Sequence, residues 1–263
     1  MAKAGPSEEN LARNRKTSRP SSLRVISLED LAQILAAHRL YLETNRKQGA
    51  RADLGATDLT GHNFSSQALR RIKLDHAHLR NADFEEADLQ RANLIGADLR
   101  GAWLTRADLG HARLSGANLE AAHLKGAVLA GAELEFAAMT RAVLRRADLR
   151  GADMSGITLD CADLREADLR EANLRGAGLR HARLDRADLQ AARLGGAFLN
   201  GASLWEADLR GAYLRVARLD GADLSDANLY DAEGLTPAQL ELANCNSGTK
   251  LPEGLRGPED AKG

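Results

Sequence analysis

The sequence predicts an all-β solenoid, and three observations lead there. A five-residue period runs without insertion or deletion: ADLQR ANLIG ADLRG AWLTR ADLGH ARLSG ANLEA, from Ala87 to Ala121, is seven copies in a row. With the central position i set at Leu54, steps of five reach Leu229, which makes thirty-six repeats over residues 52–231. Two of the five positions are apolar and nearly invariant. Position i is Leu except at Phe64, Phe84, Met139 and Met154, and i−2 is Ala except at Thr57, His62, Gln67, Ile72 and Ile157. Aromatic residues make up only 3% of the chain, so the core must be thin and regular rather than an interlock of large side chains.

A period of five fits neither the 3.6 residues of an α-helix, which would smear the leucines around its circumference, nor the alternation of an open strand. It fits a coil that turns a corner in every repeat. Residues i and i−2 then point inward, because alternate residues of an extended segment share a face. Asp or Asn stands at i−1 in half the repeats, where a short polar side chain can hydrogen-bond the backbone of the corner. Gly is frequent at i+2, where it tolerates unusual dihedral angles.

Both flanks read as separate elements. Residues 1–24 are polar and basic without periodicity and are expected to be a disordered tail. Residues 25–50 contain a helix. Ser27-Leu28-Glu29-Asp30 opens it, Leu28, Leu31, Ile34, Leu35, His38, Tyr41 and Leu42 recur at helical spacing, and it is expected to end near Arg46 to Gly49. Its expected role is to cover the open first coil, since a stack of repeats needs protected ends. In residues 232–263, Thr236-Pro237 supplies an N-cap and a first-turn Pro for a second short helix.

The A-[D/N]-L-x-x consensus of these repeats resembles the pentapeptide-repeat family, over about two thirds of the chain. The resemblance implies a bacterial protein with the architecture of a right-handed quadrilateral β-helix, four repeats per coil. Nine coils and a column roughly 43 Å tall would follow at the ~4.8 Å spacing of strands. The resemblance also implies non-enzymatic roles. Fluoroquinolone-resistance members offer DNA gyrase, a type II topoisomerase, a rod that imitates duplex DNA. The segment from Ala232 to Leu255 is similar to the C-terminal end of bacterial members, in several of which such an element makes a homodimer.

No chemistry of catalysis emerges from the residues. There is no nucleophile beside a base, no Gly-rich phosphate loop, and no set of converging metal ligands. His76 and His78 form an isolated H-x-H pair, expected to be two solvated imidazoles. Cys161 and Cys245 lie far apart, as expected of reduced thiols in a cytoplasmic protein. No cofactor is implied, and no apolar stretch approaches the ~20 residues of a membrane span. The formal net charge is −1, from 36 basic and 37 acidic residues, so neither direct nucleic-acid binding nor strong polyanion mimicry is announced by composition.

With four repeats per coil, positions twenty residues apart stack into ladders. On the fourth wall i−1 reads Asp88, Asp108, Val128, Asp148, Asp168, Asp188, Asp208, a candidate phosphate-mimicking stripe, although Arg150, Arg170 and Arg210 stand beside it. On the third wall i+2 reads Glu86, Arg106, Gly126, Arg146, Glu166, Arg186, Glu206, an expected ladder of ion pairs worth about 0–1 kcal/mol each. Also on the third wall, Trp103, His123 and Val143 break the polar rule for outward positions, with Val128 on the next wall. Arg106, Lys125, Arg141, Arg145, Arg146 and Arg150 surround them. An apolar centre with a cationic rim is the pattern of a protein interface, here for an acidic partner. A second outward set, Phe198, Trp205, Tyr213 and Val216, is expected to pack under the C-terminal tail.

Overall fold

In the structure of the protein, a computed structural model, residues 23–256 are described. The expected tail lies almost wholly outside these residues. The repeat region forms four ladders of parallel bridges, each linking residues twenty apart: Asp53 with Lys73, Asp58 with His78, Asn63 with Asp83, and Ala68 with Asp88, and so on up the stack. Each wall thus contributes one bridged residue per turn of chain, and two-residue turns separate the walls. The chain is a β-solenoid.

The backbone of a single repeat shows why five residues suffice. At the repeat centred on Leu104, Trp103 N donates to Ala82 O below at 2.9 Å. Leu104 N and Arg106 N donate to His123 O and Lys125 O above, at 2.7 and 3.0 Å. Ala107 N closes the corner onto Leu104 O at 3.0 Å. Arg106 has φ of +57°, and this left-handed conformation recurs at nearly every i+2 position, the requirement of a type II turn. Four of the five N–H groups are therefore satisfied within the coil, leaving only that of i+1.

Side chains at i and i−2 fill the interior. From Leu54 to Leu229 the residues at i are at most 2% exposed, and the alanines at i−2 close the space between them. At the lower end Phe64 and Phe84 replace Leu and stack, with ring centroids 4.9 Å apart.

Helix α1, Leu28–Glu43, is capped by Ser27, whose Oγ accepts from Asp30 N at 3.0 Å. Its Leu31 and His38 are buried, and Leu31 joins the solenoid core. The helix stops short of the Arg46–Gly49 boundary expected from the sequence. Thr44 Oγ1 bonds to Leu40 O at 2.7 Å, and Asn45 and Arg46 turn left-handed, with φ of +54° and +73°. The expected limit of the tail at residue 24 also shifts, because Arg24 bridges Thr57 and so adds a strand residue beneath the repeats.

Helix α2, Pro237–Glu241, has a capping box between Thr236 and Gln239. The Gln239 amide donates to Leu214 O and Ala217 O at 3.1 and 2.9 Å, fastening the helix to the last repeats, while Leu240 and Ala243 are buried. Bridges from Tyr213 to Glu233, Asp223 to Asn244 and Asn228 to Lys250 carry the ladder pattern past residue 231, where the regular repeat ends. No described helix is long and apolar enough to cross a membrane.

Candidate interaction surfaces

The remaining N–H of each repeat, that of i+1, explains the acidic residues. Of the Asp and Asn residues at i−1, all except Asn93 accept a bond from that N–H through Oδ1, at 2.8 to 3.5 Å. The regular occurrence of Asp is a demand of the corner.

Those same aspartates form the fourth-wall ladder, and the structure supplies each with a further donor. Arg150, Arg170 and Arg210 fold back onto Asp148, Asp168 and Asp208, with Nε–Oδ1 distances of 2.8, 2.9 and 2.9 Å and Nη2–Oδ2 distances of 2.6, 2.5 and 2.6 Å. Arg70 pairs with Asp88, Gln90 with Asp108, and Gln190 with Asp188. Asp148 and Asp168 are held below the usual carboxylate range chiefly by these arginine hydrogen bonds. In Asp208 partial burial opposes the shift, and the Arg210 bonds outweigh it. Both oxygens of each of these three carboxylates are engaged, so the wall does not present a row of free anions. Arg150, Arg170 and Arg210 are visible in the sequence beside the ladder, whereas Arg70 and Gln90 are not evident there as partners. The signal for both was their place two residues after a ladder position, one coil below the carboxylate they reach.

On the third wall Trp103 is 51% exposed and its indole stacks on His123, with centroids 4.2 Å apart and planes within 9°. Bridges place His123 directly above Trp103 and Val143 above His123. Val143 and Val128 are half-buried. The cationic rim is smaller than expected. Arg106 pairs with Glu86 at 2.5 Å, and Arg145 and Arg146 reach Glu166 at 3.0 and 2.7 Å, while Arg150 belongs to the aspartate ladder. Lys125 and Arg141 remain exposed with no carboxylate partner among the described residues.

The second outward apolar set departs from expectation. Phe198 is sandwiched between the guanidinium groups of Arg180 and Arg218, at 4.5 and 5.2 Å from its centroid. Trp205 carries Arg186 at 4.6 Å and donates to Asp226 at 3.1 Å, and Val216 is 73% exposed. Arginines from adjacent coils hold the two rings, and the described part of the C-terminal segment does not cover Val216. His76 lies at a corner beneath Gly96, and no group of metal-binding side chains occurs among the described residues. Cys161 is exposed and Cys245 half-buried, both free thiols.

The pentapeptide-repeat family profile matches in eight copies, over stretches that together run from residue 69 to residue 233, more than half the chain. The chain belongs to the pentapeptide-repeat family. Solved structures to which it is similar include HetL, a pentapeptide-repeat protein involved in heterocyst differentiation regulation in the cyanobacterium Nostoc sp. strain PCC 7120. That similarity is 31% identity over 82% of this chain and 92% of HetL, with a TM-score of 0.43. A second is alr5209, a pentapeptide-repeat protein from Nostoc PCC 7120, at 37% identity over 45% of this chain and 77% of that one, with a TM-score of 0.27. A third is full-length QnrB1, a plasmid-mediated fluoroquinolone resistance protein. There the identity is 19% over 72% and 94% of the two chains, and the TM-score is 0.33. Comparison with curated proteins gives no match.

Proposed function

We propose that this family member is a right-handed column of nine four-walled coils, closed at its ends by α1 and α2, that works in the cytoplasm as a protein-binding scaffold and not as an enzyme. The observation that carries the reading is the exposed Trp103–His123 stack beside the unpaired cations Lys125 and Arg141. Elsewhere on the third and fourth walls, charge is largely consumed in pairs within a repeat or between neighbouring coils. An exposed indole on a rigid wall offers a large apolar contact at little entropic cost, and such residues dominate the energetics of protein interfaces. Two free cations beside it favour a partner that is acidic next to an apolar anchor.

Affinity capture from the native lysate with the wild-type protein and with a Trp103→Ala, Lys125→Glu variant tests the reading. A partner recovered by the first and depleted about tenfold by the second is expected, as for loss of an interface anchor. Equal recovery by both proteins sinks the proposed surface. The rival reading, imitation of duplex DNA before a type II topoisomerase, needs an unneutralised Asp148–Asp208 ladder, and the arginine forks weaken it. Inhibition of gyrase supercoiling that is lost on charge reversal of Asp148 and Asp168 would favour that rival.

A further inference from the structure

On the first wall, pairing between coils follows a rule until the upper part of the stack. Lys73 pairs with Asp53, Arg113 with Glu133 at 3.2 Å, and Asn173 with Asp153 at 2.9 Å. The rule then breaks. Arg193 is bridged to Asn173 below and to Tyr213 above, neither of them a carboxylate. Arg175 and Arg215, two residues further along the same wall on the coils below and above, are also exposed and also lack a carboxylate partner among the described residues.

We infer that Arg175, Arg193 and Arg215 form a second docking surface, for a short acidic peptide segment of a partner protein. At strand spacing, Arg175 and Arg215 start roughly 10 Å apart, with Arg193 about 8 Å from each. Alternate residues of an extended peptide are ~7 Å apart, so two carboxylates on one face of such a segment are close to the spacing of Arg193 from Arg175 or from Arg215. Gly176 and Gly196, at the corner beside the arginines, have nothing within 4 Å of a would-be Cβ and leave that edge of the wall open to a backbone. A guanidinium with no internal partner keeps its full capacity for bidentate carboxylate binding.

A nucleic acid fits less well. The Phe198 ring is held between Arg180 and Arg218, so it is not free to stack a base. Glu233, bridged directly above Tyr213, stands at the upper end of the cluster and would repel a polyanion long enough to pass over it. The first and third walls are ten residues apart in a twenty-residue turn and therefore opposite each other. This surface is thus independent of the Trp103 patch, and together the two would let one column hold two partners on opposite sides.

The test is fluorescence anisotropy with a fluorescein-labelled hexaglutamate peptide at low ionic strength, using the full chain. Wild-type protein is expected to bind it, with affinity falling as salt is raised. The triple variant Arg175→Gln, Arg193→Gln, Arg215→Gln should lose about tenfold or more, whereas Lys47→Gln with Arg91→Gln, two exposed cations low on the column, should stay within about twofold. All five side chains are exposed, so thermal melts of both variants should overlay the wild type. Absence of wild-type binding, equal losses in the two variants, or tighter binding of a short oligothymidylate than of the peptide would each overturn the inference.

Discussion

The ring of Phe136 lies against Gly156 one coil above it: a Cβ built on Gly156 would stand 2.7 Å from both Cδ1 and Cε1 of the ring. The same relationship joins His76 to Gly96, His111 to Gly131 and His181 to Gly201. A bulky residue forced into the left-handed corner leans on the corner of the next coil, where glycine leaves room. Gly156→Ala should therefore carry two penalties, about 1–2 kcal/mol for an alanine at φ +64° and a further cost for displacing the ring. Gly176, at φ +65° with nothing within 4 Å of its would-be Cβ, carries only the first. Thermal melts should place Gly156→Ala below Gly176→Ala, and Phe136→Ala in the same chain should remove the difference. A gap that persists without the phenyl ring would refute the contact.

Asp98 predicts the acid limit of the fold. Partial burial works against its ionisation, but Arg100 and Arg80 outweigh it through Nε contacts of 2.8 and 2.6 Å, so its carboxyl is lowered to about 2. Because the folded value lies below the unfolded ~3.9, its stabilisation is complete above pH ~4 and disappears as pH falls towards 2. Asp148, Asp163, Asp168 and Asp208 shift in the same direction and add to the slope. Stability by urea titration should fall steeply between pH ~4 and ~2, and Arg80→Gln with Arg100→Gln should flatten that fall by up to about 2 kcal/mol.

Much of this was legible because a strict period ties each residue to one orientation. Leu at i, Ala at i−2 and Asp at the corner could be placed without coordinates, and so could the stacking of Trp103, His123 and Val143. What escaped depended on where long, flexible side chains end. The ladder of alternating charge already pairs Arg106 with Glu86 and Arg146 with Glu166, but only geometry shows that Arg145 also reaches Glu166 while Lys125 is left. Phe198 reads as an apolar residue in need of cover, yet arginines eighteen and twenty residues away supply it from adjacent coils. Helix α1 ends before the glycine that the sequence offers as its stop, because the Thr44 hydroxyl bonds to Leu40 O and Gln48 N.

His38 couples the lower end to pH. It is fully buried, its Nδ1 accepts from Ala52 N at 3.1 Å, and Tyr41 stacks beside it. Burial, aided by the Arg51 charge and opposed by the Arg70 backbone, pushes its pKa below the ordinary 6.5. A His lowered on folding stabilises fully above its unfolded value, and that contribution is lost as pH drops through ~6.5 towards the folded value. Protonation also removes the acceptor that Ala52 needs. Amide exchange in Leu28–Glu43 should accelerate from pH 7 to 5, after correction for intrinsic rates, while the upper coils stay protected. In His38→Gln that pH dependence should vanish, and its survival would assign the effect to another group.

The stacked pair Phe64 and Phe84 sits at the first coil junction above α1, where every other interior position at i is Leu or Met. A phenyl ring fills more of the cross-section than an isobutyl group, and two rings in adjacent coils contact each other through parallel faces 11° from coplanar. Replacing either one with Leu leaves its partner facing a void, at about 1–2 kcal/mol each, and replacing both removes an aromatic contact worth about 0.5–1.5 kcal/mol only once. The double variant Phe64→Leu, Phe84→Leu should accordingly be more stable than the sum of the single losses predicts. Stability in a solenoid is summed locally, so the loss should register as weaker amide protection in the first two coils before the column as a whole melts. Additive losses in a double-mutant cycle, or a uniform drop in protection along the stack, would show that the two rings act independently of each other and of the end they close.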